Sequence, residues 1–130
     1  MSSIFTNIIN GDIPSYKIAE DNDHYAFLDI NPLTKGHTLV IPKIEVDYIF
    51  DLTDDQISAL HIFVKKVAIG IGKVIPCKRV GSLVIGTEVP HAHVHLIPFK
   101  EESVFNINGP KLKFNPDEMG EIAMKIREAI

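Results

Sequence analysis

Cysteine is nearly missing from this chain. Cys77 is the one cysteine in 130 residues, so no internal disulfide can form and no CxxC pair exists for zinc or redox work. Long apolar runs are missing too, and no stretch approaches the roughly 20 residues of a membrane span. The N-terminus, MSSIFTNIING, has no basic segment followed by an apolar run, so a signal peptide is not expected there. Excess positive charge is also lacking. The formal net charge is −4, which argues against a nucleic-acid binder that relies on bulk charge. A local site on an acidic protein can still hold a phosphate. These absences predict a cytoplasmic protein with neither a membrane nor a nucleic acid as partner. No biased tract, internal repeat or linker interrupts the sequence. Hydrophobic residues make up 45% and charged residues 23%, the balance expected of a single folded domain spanning 1–130.

What is present is a series of short strands and amphipathic helices. Ile4, Phe5, Ile8 and Ile9 have helical spacing within Ser3–Ile13, and Gly11 and Pro14 end that segment. β-branched and apolar runs predict strands over 16–20, 25–30, 38–41, 79–85 and 91–98. Thr53-Asp54-Asp55-Gln56 is a capping box. Behind it Ile57, Leu60, Phe63, Val64, Val67, Ala68 and Ile71 mark the longest helix, whose end Gly70 and Gly72 are expected to loosen. Asn115-Pro116-Asp117-Glu118 opens a last helix with an apolar stripe of Ile122, Ala123, Ile126 and Ile130. The expected class is α+β: a five-stranded antiparallel sheet with one long helix and short flanking helices.

Residues 91–98 read HAHVHLIP, so three of the six histidines alternate with Ala92, Val94 and Leu96. On a strand, positions i, i+2 and i+4 share a face. His91, His93 and His95 are therefore expected on one exposed face, with the apolar set turned into the core. An incidental polar face is one reading, at odds with how uncommon histidine is. A purification tag does not fit an internal segment interleaved with core residues. Zinc needs nitrogens at about 2.0–2.1 Å around one point. The outer histidines lie roughly 13 Å apart at Cα on a strand, so three cannot converge without distortion; a pair with a distant ligand such as His37 stays open. Phosphoryl chemistry ranks first. One imidazole can attack phosphorus while its neighbours donate to phosphate oxygens, and histidine titrates near neutrality.

HAHVHLIP resembles the signature of the histidine triad (HIT) superfamily. IFTNIINGDIPSYKIAEDNDHYAFLDINPLTKGHTLVIPK, residues 4–43, and GTEVPHAHVHLIP, residues 86–98, resemble its Hint-like branch. The resemblance implies a HIT-like fold and cleavage at the α-phosphorus of a purine nucleoside phosphoramidate or related AMP ester. It makes His93 the nucleophile of a nucleotidyl-histidine intermediate. His95 would donate to phosphate oxygens and assist the leaving group, His91 would orient the nucleophile, and His37 would lie beside the triad. It places the nucleoside among Ile4, Phe5, Ile8, Ile13, Phe27, Asp29 and Ile30, with Asp29 accepting from the ribose diol. It also implies a homodimer with a continuous ten-stranded sheet, and no cofactor.

The chain departs from the pattern in four places. The loop before the triad is shortened and lacks the asparagine that helps hold the phosphate. Thr87 and Glu88 stand where relatives carry glutamine and a hydroxyl residue; Thr87 is expected near the leaving group, and Glu88 would repel phosphate or favour a cationic leaving group. Glu45 stands where relatives have a histidine. Some bacterial relatives hold a structural zinc through N-terminal cysteines; this chain has Phe5-Thr6 there, so no structural zinc is expected. Two alternatives accompany the phosphoramidate reading: dinucleoside polyphosphate hydrolysis, and a nucleotide-binding module with weak catalysis.

Overall fold

The structure is a computed structural model, and it describes residues 2–86 and 88–130. Five strands form one antiparallel sheet: β1 Lys17–Glu20, β2 His24–Leu28, β3 Thr38–Pro42, β4 Arg79–Leu83 and β5 Val94–Phe99. Their spatial order is β1-β2-β3-β5-β4. The helices are α1 Ile4–Ile9, α2 Asp54–Val74 and α3 Pro116–Glu128. This matches the expected α+β class and the expected element order.

Both faces of the sheet are covered, which is why β2 and β3 are buried at every residue. On one face Ala26, Leu28, Val40, Val94 and Leu96 pack against Leu60, Val64, Val67 and Ile71 of α2 and Ile122 and Ile126 of α3. On the other face Phe27, Leu39 and Ile41 pack against Phe5 and Ile8 of α1. Strand alternation sends Val94 and Leu96 to the α2 side, leaving His95 on the α1 side.

The caps explain where the helices begin. Thr53 and Gln56 form the capping box read from the sequence. Asn115 and Glu118 form a second one, with Pro116 at the helix start. Ser3 caps α1 by accepting from the Thr6 N–H. α1 spans only six residues, shorter than the apolar spacing suggested.

Three expectations need correction. Gly70 and Gly72 do not loosen α2, which continues to Val74. A Cβ on Gly70 would lie 2.6 Å from Ile130 Cγ1, so that glycine serves close packing of the C-terminus on α2. β5 begins at Val94 rather than His91, because the chain bends at residues 88–91 before it enters the sheet between β3 and β4. The histidine face is not exposed. His91 is 0%, His93 7% and His95 7% accessible, since α1 lies over that face.

Candidate active site

Four histidines meet at the centre of the sheet. His95 lies on β5 between Leu39 of β3 and Leu83 of β4. His37 immediately precedes β3, behind Gly36, whose φ of +90° is a conformation glycine adopts without strain. His91 and His93 lie in the approach to β5. Phe5 of α1 packs edge-on against His91 and His93, with ring centroids 5.8 and 5.1 Å away.

Hydrogen bonds assign a tautomer to each ring. The Leu33 N–H donates to His37 Nδ1 at 3.0 Å. Burial pushes His37 down to about 3, so it is neutral and carries its proton at Nε2. That Nε2–H faces His95 Nδ1 at 2.9 Å. Burial also pushes His95 down to about 4, so it is neutral and its proton sits at Nε2. His93 Nδ1 lies 2.8 Å from the His91 carbonyl. A carbonyl only accepts, so His93 donates from Nδ1, and in the neutral ring Nε2 carries the lone pair. His91 Nε2 donates in the same way to the Pro42 carbonyl at 2.7 Å, leaving its Nδ1 to accept from the Ser3 hydroxyl at 2.8 Å. Burial holds His91 below the usual histidine range.

This proton order bears on metal binding. Asp29, His37 and His95 bring ligand atoms within 4.8 Å of one another. Ligating histidines ordinarily donate their second ring N–H to an acceptor. His37 has the reverse arrangement, because the Leu33 N–H occupies its Nδ1 lone pair and the proton is left on Nε2. The trio therefore suits proton ordering and does not fit a metal. The 3.6 Å approach of Asp29 Oδ2 to His37 Nε2 is likewise not an ion pair, since His37 is neutral.

Beside His93 and His95 opens a cavity of about 610 Å³. Ile4, Phe5, Ile8, Ile13, Phe27, Asp29 and Ile30 all line it, as does Glu88 at its rim. Of the twelve described site candidates, ten line this cavity: these eight residues with His93 and His95. His91 and His37 lie behind the wall, as partners of the two lining histidines. Thr87 falls outside the described residues. Burial raises the Asp29 carboxyl above the usual range, and its Oδ1 accepts the Asn31 N–H at 2.8 Å.

Sequence reasoning missed several neighbours. Leu39, Ile85 and Val89 complete the apolar wall, while Ile107, Asn108 and Lys111 close it from the segment after β5. That segment is irregular, and no periodicity marks it. Lys111 is held by the Ile107 and Gly109 carbonyls. Ser3, Thr6 and Glu45 were also missed as neighbours of the triad. The Ser-x-x-Thr spacing signals a helix cap only, and Glu45 was noted merely as a departure.

The HIT domain model matches residues 10–102. An uncharacterised HIT-like protein of Borreliella burgdorferi is 39% identical, covering 95% of this chain and 94% of its own length. An adenosine 5'-monophosphoramidase of Schizosaccharomyces pombe is 36% identical, covering 100% of this chain and 99% of its own. A Hit-like protein of Bartonella henselae described as involved in cell-cycle regulation superposes with a TM-score of 0.87 at 30% identity, over 99% of this chain and 96% of that one. With the triad, the fold and these matches in agreement, the chain belongs to the HIT family.

Proposed function

We propose that the chain is a nucleotide hydrolase that cleaves a purine nucleoside phosphoramidate, or a related AMP ester, through a nucleotidyl-His93 intermediate. One observation carries this reading: His93 gives its Nδ1–H to the His91 carbonyl, so its Nε2 lone pair is free in a residue lining the cavity. A fixed tautomer is what a nucleophilic imidazole needs. The likeness to an adenosine 5'-monophosphoramidase supports the phosphoramidate as substrate. The cavity, at about 610 Å³, falls in the usual range for small-ligand sites. Its isoleucines and Phe27 suit a purine, and Asp29 suits a ribose diol.

In the first step His93 Nε2 attacks the α-phosphorus and the bond to the leaving amine breaks. The amine departs with a proton supplied by solvent. The His95 Nε2–H donates to a phosphate oxygen as negative charge gathers there. Water then attacks the phosphorus and gives up a proton to solvent, the P–N bond to His93 breaks with its electron pair returning to Nε2, and the nucleoside monophosphate is released. The order His37 Nε2–H to His95 Nδ1 keeps the His95 proton on the cavity side throughout.

We also infer a homodimer in the cytoplasm. β4 is an edge strand, and Ile62 and Ile69 of α2 are exposed, as are Val84 and Ile85 after β4. An unpaired edge beside exposed apolar residues favours pairing with a second copy. Among the described residues no helix is long and apolar enough to cross a membrane.

The test is incubation with an adenosine phosphoramidate, followed by mass spectrometry for AMP and for an AMP adduct on the protein. Wild type should release AMP, and His93→Ala should lose orders of magnitude in rate. A wild type without turnover, or equal turnover by His93→Ala, overturns the proposal.

A further inference from the structure

Four residues from three separate parts of the sequence are tied together behind the nucleophile. Glu45 Oε1 accepts the Ser3 N–H at 2.5 Å and the Thr6 hydroxyl at 2.7 Å. Ser3 Oγ accepts the Thr6 N–H at 3.1 Å as the cap of α1. The Ser3 hydroxyl has one hydrogen to give. Thr6 Oγ1 lies 3.3 Å away and His91 Nδ1 lies 2.8 Å away. The shorter contact, to an unprotonated ring nitrogen, takes the hydrogen.

His91 is therefore held at both ring nitrogens. Ser3 donates to one, and the other donates to the Pro42 carbonyl at the end of β3. The backbone carbonyl of this same residue accepts the Nδ1–H of His93. Shifting the His91 backbone displaces the group that fixes the His93 tautomer. Ser3 and Glu45 do not line the cavity, so they reach His93 only by way of His91. The helix that Ser3 caps carries Ile4, Phe5 and Ile8 into the cavity wall.

From these contacts we propose that Ser3 and Glu45 are positioning residues, a clamp that fixes His91 and through it the tautomer and aim of His93. The clamp makes one element, the start of α1, responsible for both the cavity wall and the nucleophile's alignment. It rests on the reading of His93 as nucleophile. Glu45 contributes as an acceptor, since both of its contacts are hydrogen bonds to neutral donors. A neutral amide oxygen can fill that place, and a threonine hydroxyl can fill that of Ser3.

The experiment compares steady-state kinetics of full-length wild type, Ser3→Ala, Ser3→Thr, Glu45→Ala and Glu45→Gln on an adenosine phosphoramidate. Imidazole tautomers are read in parallel by long-range ¹H–¹⁵N NMR. Ser3→Ala and Glu45→Ala should lower kcat by roughly ten- to a hundred-fold, the scale of a displaced catalytic group. KM should stay within about twofold, because a lost cavity wall would raise KM instead. Ser3→Thr and Glu45→Gln should restore most of the rate. In the spectra, wild-type His93 should be the Nδ1–H tautomer, and Ser3→Ala should convert it to a mixture. Wild-type kcat in Ser3→Ala overturns the clamp, and so does a His93 that stays wholly Nδ1–H in that variant. Absence of cleavage by wild type overturns the proposed function instead, and the spectra still decide the clamp.

Discussion

Acid should unfold this protein through its active site. Burial pushes His37 to about 3 and His95 to about 4, from an ordinary 6.5. Both folded values lie below the unfolded one, so the unfolded chain binds more protons between them. Stability is therefore full above about pH 6.5 and falls as pH drops, until about pH 4 for His95 and about pH 3 for His37. Well inside that window each histidine contributes a slope of about 1.4 kcal/mol per pH unit. Between pH 7 and pH 5 the pair together removes about 4 kcal/mol, against a total of roughly 5–15 kcal/mol for a domain. Burial also holds His91 low, which steepens the slope. Burial raises Asp29, which works the other way where that carboxyl titrates. The assay is urea unfolding followed by circular dichroism at half-unit steps from pH 7.5 to 5. The informative variant is His37→Gln, which keeps an amide donor for His95 and removes one titrating ring. Its slope should be shallower by about 1.4 kcal/mol per pH unit. A flat wild-type profile, or the wild-type slope retained in His37→Gln, would refute the neutral-histidine chain.

Other expectations follow from packing. At Gly36 a Cβ would lie 2.9 Å from Ile75 Cγ1, on backbone with φ +90°. Gly36→Ala should cost about 1–3 kcal/mol from backbone strain, read as a lower Tm, with loss of activity because His37 follows directly. Phe5 is buried and packs against Phe27 and His93. Phe5→Ala should cost about 3–5 kcal/mol in unfolding free energy and weaken AMP binding in calorimetry; unchanged affinity would remove Phe5 from the binding wall.

Much of the fold was legible because local rules and tertiary demands agree. Thr53 and Gln56 announced α2, and Asn115 with Pro116 announced α3, since a cap is satisfied within one turn of chain. The five strands followed from β-branched and apolar runs. Boundaries drifted where tertiary contacts decide them: the strand predicted from His91 starts at Val94, and α1 stops at Ile9. The segment bearing Asn108 and Lys111 joined the cavity without any local pattern to mark it.

The sequence by itself determined that His91, His93 and His95 share one side of a strand path, because side-chain alternation is a local property of the backbone. It could not determine that this side is buried. Burial of the histidines depends on α1, brought over the sheet from the other end of the chain, and on the ties of Ser3 to His91 and Glu45. The proton positions came last of all. Which nitrogen of each ring holds hydrogen depends on Leu33, Pro42 and the His91 carbonyl, groups that only the folded chain places within hydrogen-bonding distance. The alternating histidines are thus a local fact, and the free lone pair on His93 is a tertiary one.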